Sequence, residues 1–347
     1  MGVLFVPYSA WGHVLPTLAV VAELTGRGVP VRVVAGEEFR SAIESTGAQA
    51  VVPAVGHEVR VPAGGSPTEL CDRAALWWRR RAAWQATRQV LERELRRERP
   101  ALCVVDPHVP WAERLVARHD VEVVPLWTSH ARSARDSGLV LANTLPELQP
   151  GGPRFGRSVH LVGPLVGPAP RTVAAESEPL HSDGPTIVVA LGTVFARAAR
   201  FFRSIVEAFA HTRWTVIVAT SWLPVCELGA LPPNVYAQQW IPQQEALRTA
   251  QVFLTHAGIN SVHDAILAGV PMILAPRIRE QRLTAARLGR LGIAMPLGDR
   301  RELVENAARL ASDPLVHRRL REMRTRAESS RGDVRAADLL MARMGGR

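Results

Sequence analysis

The chain has 347 residues, 47% of them hydrophobic, and a formal net charge of +10. That length suits about two domains of ordinary size with real cores, and no apolar run approaches the roughly 20 residues needed to cross a bilayer. All 42 basic residues are Arg, spread along the chain without a helix-turn-helix, zinc-finger or RRM signature, so nucleic acid is not the expected partner. The skew looks like the codon usage of a GC-rich genome. The opening MGVLFVPYSAWGHV has no basic n-region and reads as a first strand rather than a signal peptide. Cys71, Cys103 and Cys226 are widely spaced and odd in number, which makes neither a zinc site nor a disulfide framework and points to a reducing cytoplasm.

Val3 to Val6 reads as a buried strand and Pro7 to Gly12 as the turn after it. A helix from near Val14 carries Leu18, Val21, Ala22 and Leu24 on one face and stops at Gly26 to Gly28. His13 then sits at the carboxyl edge of a parallel sheet, where such folds bind ligands; a lone His there also serves as a cap or a surface ring. A strand (Val31 to Val34), a helix (Glu38 to Ser45), a strand (Gln49 to Val52) and a Gly/Pro-rich loop (Pro62 to Pro67) follow. The long helix over Thr68 to Arg97 reads as amphipathic, with Trp77, Trp78 and Trp84 inward and Arg79 to Arg81 and Arg88 solvated. Its other reading is a surface for an anionic acceptor, a lipid headgroup or a partner protein. Leu102 to Val105 is another buried strand, with Asp106 at its carboxyl end. That carboxylate could cap the helix containing Trp111, or orient His13 through Nδ1 and leave Nε2 to take a proton. His108, two residues on, is a possible acceptor contact or simply exposed.

After the strand Val121 to Leu126 only a short polar segment precedes Leu139 to Asn143. Leu161 to Pro170 is Pro/Gly-rich and extended, a credible interdomain linker. The second half starts with a strand, Thr186 to Leu191, and a helix, Arg197 to His211, then strands at Trp214 to Val218 and Asn234 to Ala237. Helices to about Ser312, from Pro314 to Ser329 and from Asp333 to Met344 end it, Pro314 being good first-turn chemistry. Between them lies the most informative stretch. Val252 to Thr255 is a strand that stops at His256-Ala-Gly258, and Asn260 and Ser261 stand where a helix should start, with Asp264 placed as in a capping box. The helix stops near Gly269, and the strand Pro271 to Leu274 completes a βαβ unit. The N–H groups and dipole at such a helix opening favour phosphate. Trp240 could stack on a flat base, and Glu280-Gln281 could accept hydrogen bonds from hydroxyls. Base, diphosphate and hydroxyls are the inventory of a nucleotide sugar.

Here the chain resembles the nucleotide-sugar glycosyltransferases that act on natural products: the macrolide and antibiotic, plant-secondary-product and glucuronosyl transferases. The matching pieces are Ser9-Ala-Trp-Gly-His13-Val-Leu-Pro16-Thr17, Trp240-Ile-Pro-Gln243, His256-Ala-Gly-Ile-Asn260-Ser261, Asp264, Gly269-Val-Pro271 and Glu280-Gln281. The resemblance implies an α/β fold of GT-B type, two doubly wound Rossmann-like domains facing across a cleft. It implies an acceptor domain over 1–165, a donor domain over 166–330, and a last helix, 331–347, crossing back to the first domain. It assigns His13 as general base with Asp106 as its partner, and Trp11 and His108 to the acceptor. Thr193, His256, Gly258, Asn260 and Ser261 would hold the diphosphate. Trp240, in the same motif as Gln243, would stack on uracil or thymine, Asp264 would take the ribose hydroxyls, and Glu280 and Gln281 the sugar.

Two departures stand out: the family usually has Gly at Ala257 and Glu at Asp264. A third is length, because relatives usually carry a long, partly helical acceptor wall where this chain has the short segment after Leu126. The expected reaction is a single displacement with inversion from a UDP- or dTDP-sugar, needing no cofactor and no metal, since no D-x-D stands at a strand end. The acceptor would be a bulky small-molecule or peptide natural product. The alternative to a bulky acceptor is a partner protein that completes the open wall; a peripheral membrane contact and a homodimer stay open as well. Two other readings stand beside this one, a lipid-linked precursor transferase and a non-catalytic, degenerate paralogue.

Overall fold

A computed structural model describes residues 2–54, 67–131, 138–151, 155–167, 184–192 and 199–345, with backbone only at 67–77, 79 and 80. The loop expected at 62–66, Thr193, the end of the linker at 168–170 and the Trp77 side chain lie outside the described residues. The chain forms two compact units. The first comprises 1–146, 151–170 and 330–347; the second comprises 147–150 and 171–329.

In the first unit, β1 (Val3–Val6), α1 (Trp11–Gly26), β2 (Val31–Val34), α2 (Arg40–Glu44) and β3 (Gln49–Val51) are followed by α3 (Pro67–Arg97) and β4 (Leu102–Val105). Then come α4 (Pro110–Ala117), β5 (Glu122–Trp127), β6 (Val140–Ala142) and β7 (Val159–Leu161). The sheet is all parallel, in the order β3-β2-β1-β4-β5-β6-β7. Its central strands, VLFV and LCVV, are buried at every position, as a strand covered on both faces requires. Because the chain runs outward from β1 to β3 and returns at β4, a topological switch point opens at the carboxyl ends of β1 and β4.

Three expectations change. α1 begins at Trp11, not near Val14, so His13 lies in its first turn. Ala10 is extended and its carbonyl accepts the His13 and Val14 N–H groups (2.8 and 2.9 Å), and Gly12 is absorbed into the helix. Trp78 and Trp84 of α3 do not face inward: they are 64% and 48% exposed. The face of α3 that packs is instead the one bearing Ala83, Val90, Leu91 and Leu95, with the buried Arg32–Glu94 ion pair (2.7 Å) tying the helix to β2. Small and aliphatic side chains already fill that contact, so the indoles are left outside. The helix after Asp106 is capped by Val109, not by the Asp106 carboxylate.

The second unit holds β8 (Thr186–Ala190), α5 (Ala199–Phe209), β9 (Thr215–Ala219), β10 (Val235–Gln238), α6 (Gln243–Thr249) and β11 (Val252–Thr255). After these come α7 (Ile259–Ala268), β12 (Met272–Leu274), α8 (Arg279–Leu291), β13 (Ala294–Pro296), α9 (Leu303–Ser312) and α10 (Pro314–Ser330). Its parallel sheet runs β10-β9-β8-β11-β12-β13, and the same logic puts a switch point at the carboxyl ends of β8 and β11. The chain ends in α11 (Gly332–Gly345), which belongs to the first unit. Its Ala336, Ala337 and Leu340 enter the core that contains Val14, Leu18 and Val21 of α1. A Cβ on Gly332 would stand 2.7 Å from the Pro164 carbonyl oxygen, so only glycine lets α11 start there. No helix among the described residues is long and apolar enough to cross a membrane.

Candidate active site

At the first switch point, β1 delivers His13 and β4 delivers Asp106. His13 Nδ1 lies 2.7 Å from Asp106 Oδ2. The other carboxylate oxygen, Oδ1, accepts from the His108 backbone N–H (2.8 Å) and lies 2.9 Å from His108 Nδ1. Asp106 is buried. Burial alone would push its pKa up, but the nearby His13 charge and the hydrogen bonds from His108 and His13 more than reverse this, so the carboxyl is held well below the ordinary range. An ionised Asp106 accepts a hydrogen bond at each oxygen, which places the His13 proton on Nδ1 and leaves Nε2 without one. The reading of Asp106 as a helix cap is thereby replaced by the dyad geometry.

Two neighbours went unnoticed in the sequence. Thr128 Oγ1 stands 2.8 Å from His13 Nδ1, and the Tyr8 ring packs edge-on to His13 with centroids 5.1 Å apart. Strand order could have found the neighbourhood of Thr128, because β5 lies beside β4 and Thr128 leaves β5 at the same carboxyl edge where Asp106 leaves β4. Around the dyad, His108 also packs against His13 (4.9 Å) and Trp127 (6.0 Å). Trp11, expected to face an acceptor, packs on Phe39 at 4.7 Å and partly joins the core. His13, Asp106 and His108 also bring ligand-type atoms within 4.8 Å of one another, yet both Nδ1 atoms are turned to the carboxylate.

At the second switch point, β11 ends at Thr255 and α7 opens at Ile259 with Gly258 as its cap residue. The expected cap at Asn260 or Ser261, and with it the capping box to Asp264, is not formed: both residues lie in the first turn, and Gly258 has no side chain to compete for the backbone. The Val262 N–H is taken up by the Gly258 carbonyl (3.0 Å), so the turn before it is the part a helix opening presents to an anion. The His256 ring lies close to two glycines; a Cβ on Gly258 would come within 2.3 Å of its Nε2 and one on Gly192 within 2.8 Å.

Ala257 explains the first departure from the family pattern. Its φ is +64°, in the left-handed region where glycine is at ease, and its methyl is fully buried. Left-handed strain of about 1 kcal/mol is nearly offset by about 0.8 kcal/mol for a buried methyl, so alanine is tolerated. Ala257→Gly is therefore expected to shift the melting temperature by under about 3 °C, a small change on the usual scale for 1 kcal/mol. Thermal unfolding checks this; a large rise would mean that the strain dominates.

Asp264 is pinned by α6, accepting from Gln243 Nε2 (2.7 Å) and Gln244 Nε2 (3.2 Å). Burial pushes its pKa up to about 6, and the two amide hydrogen bonds only partly oppose this. The native state thus holds a proton that the unfolded chain releases from pH ~4 upward. The destabilising effect is absent at pH 4, grows through pH 4–6 and is complete above pH 6. Asp264→Asn is expected to stabilise the protein by about 1–3 kcal/mol at pH 7.5, at roughly 1.4 kcal/mol per pKa unit before allowance for partial exposure, and not at pH 4. Denaturant melts at the two pH values test it, and equal shifts at both would exclude the ionisation as the cause.

The remaining donor-side residues fall at the same sheet edge. Trp240 follows β10 and stands edge-on to Trp222, centroids 5.1 Å apart and planes at 87°. Gln243 also lies 3.5 Å from Ser261 Oγ. Glu280 sits in the first turn of α8. Gln281 is turned back on the chain: its Oε1 accepts from the Arg277 and Ile278 N–H groups (2.8 and 3.2 Å), which leaves its amide nitrogen as the group a sugar hydroxyl could meet.

Two Rossmann-like units, each built on a parallel sheet, are the architecture of the GT-B glycosyltransferases. Residues 171–306 match the family described as UDP-glucoronosyl and UDP-glucosyl transferase. The NDP-glycosyltransferase YjiC of Bacillus licheniformis is 26% identical over 388 aligned positions, spanning 96% of this chain and 95% of its own. The demethyllactenocin mycarosyltransferase of Streptomyces fradiae is also 26% identical, over 95% of this chain and 84% of its own. The crystal structure of CalG4, the calicheamicin glycosyltransferase, superposes with a TM-score of 0.75 and 29% identity, covering 99% of this chain and 98% of that one. The chain is a nucleotide-sugar glycosyltransferase of the natural-product type. The alignment with the Bacillus protein is longer than this chain's 347 residues, so that relative carries residues this chain lacks.

Proposed function

We propose that this chain moves a sugar from a UDP- or dTDP-sugar to a nucleophile, most simply a hydroxyl, on a bulky natural product in the cytoplasm, with inversion and with no metal. The observation that carries this is the 2.7 Å contact between His13 Nδ1 and the ionised, buried Asp106. It leaves His13 Nε2 to remove the acceptor proton as the anomeric carbon is attacked, while Asp106 steadies the imidazolium. The departing nucleoside diphosphate gathers negative charge, which the opening of α7 and His256 would stabilise. Trp240 would carry the base, Asp264 the ribose hydroxyls, and Glu280 and Gln281 the sugar. A bulky acceptor is supported by the connection from β5 to β6, only residues 128–139, close to the minimum for joining parallel strands. That leaves little chain from which to build an acceptor wall.

The test is a thermal-shift panel of nucleoside diphosphates. UDP or dTDP at about 100 times its dissociation constant is expected to stabilise the protein by about 2.7 kcal/mol; no shift with either would defeat the donor assignment. One observation favours a second reading, transfer to a lipid-linked precursor. Exposed Trp78 and Trp84 lie on α3 with the exposed Arg81 and Arg88, a combination suited to an anionic membrane surface. Co-sedimentation with anionic but not neutral vesicles would favour it over the first.

A further inference from the structure

We infer that Trp222, which no motif marks, is a positioning residue for the donor base, acting through Trp240; this rests on the base-stacking reading of Trp240. The two tryptophans lie just beyond the ends of neighbouring parallel strands. β9 and β10 pair through Ala219 and Gln238. The ladder then continues past the strand ends: Thr220 N–H donates to the Gln238 carbonyl (2.9 Å) and Ser221 N–H to the Gln239 carbonyl (2.8 Å). Trp240 is the next residue on one side and Trp222 on the other. Thr220 Oγ1 closes the turn on the Leu223 carbonyl (2.7 Å), and Ser221 is held at φ +60° in the left-handed region. The path that brings Trp222 to Trp240 is thus fixed by backbone hydrogen bonds at some cost in strain.

The contact is close and nearly perpendicular, 5.1 Å and 87°, the favoured edge-to-face arrangement of two aromatic rings. Trp222 nevertheless remains 40% exposed, so its burial is not what the chain gains from placing it there. A half-buried indole without such a neighbour would have to be ordered when a base docks. Fixing one rotamer-rich side chain on binding costs about 0.5–1.5 kcal/mol. Trp222 sets the plane of Trp240 beforehand, so that the base meets a surface already in place. The ligand concerned is a nucleoside diphosphate; inorganic pyrophosphate, which has no base, is indifferent to this pair.

The experiment compares calorimetric affinities of the full chain and of Trp222→Ala, Trp222→Phe and Trp240→Ala for UDP, dTDP and pyrophosphate. Trp222→Ala is expected to weaken both nucleoside diphosphates by about 2- to 12-fold, the fold-change matching that ordering cost, and to leave pyrophosphate unchanged. Trp222→Phe is expected to recover most of the loss, and in turnover assays the loss falls on the donor KM rather than on kcat. Wild-type affinity in Trp222→Ala, or an equal loss for pyrophosphate, overturns the inference, the second outcome indicating simple damage to the turn. Trp240→Ala separates the two ideas. A loss of about 5- to 100-fold there, as for removing a base-stacking aromatic, sustains the stacking reading even if Trp222 proves silent. Unchanged affinity in Trp240→Ala removes the stacking reading and this inference with it.

Discussion

His13→Ala is expected to lower turnover by on the order of 10²–10⁴, the usual contribution of a positioned general base, with nucleoside-diphosphate affinity preserved. The separation follows from the architecture. His13 belongs to the first unit, whereas Trp240, His256, Asp264 and α7 all belong to the second. Deleting the imidazole also strands Asp106, which is buried and holds its charge largely through His13 and His108. A modest fall in stability is therefore expected as well, and activity should be measured below the variant's melting temperature. Single-turnover rates with saturating donor, beside a calorimetric titration of UDP or dTDP, check both halves of the statement. Wild-type turnover in the variant would remove the dyad from the mechanism.

Gly258→Ala should have the second largest effect, and it should fall on the donor. An added methyl would meet His256 Nε2 at 2.3 Å, and the same ring atoms already stand so near Gly192 that a Cβ there would be 2.8 Å away, so the imidazole has to leave its present position. The obstacle is a side chain rather than backbone, so the fold absorbs the change by moving the imidazole. If His256 contacts the diphosphate, the lost charge-assisted hydrogen bond amounts to about 1.5–3 kcal/mol, or roughly 10- to 150-fold in affinity. Unaltered donor affinity with a normally folded variant would show that the ring position is irrelevant to binding.

The fold was legible because the central strands are short, almost wholly apolar runs: LCVV and VFLT read as central strands of a covered sheet, and both are buried at every position. The positions of His13 and Asp106 after such strands then bring them to one edge, and the structure joins them. What was not legible depends on neighbours distant in sequence. Thr128 and Trp222 enter their sites through strand order and loop path, neither of which leaves a local pattern. The cap of α7 was misplaced because Asn260 and Ser261 carry the side chains favoured at caps, while the actual cap, Gly258, is chosen for the room it leaves beside His256. The tryptophans of α3 misled for a similar reason. Hydrophobic character suggested burial, but the contact is made by Ala83 and the aliphatic residues Val90, Leu91 and Leu95.

The return of α11 has a consequence for how the molecule is made. Its alanines and Leu340 complete the core beneath α1, the helix that carries His13, and its Arg27–Asp338 and Arg343–Glu122 pairs tie it to α1 and β5. During synthesis the chain of the second unit, through Ser329, has fully left the ribosome before the first has received its closing helix. Domains ordinarily mature in the order in which they are translated; here the half that emerges first is the half that must wait.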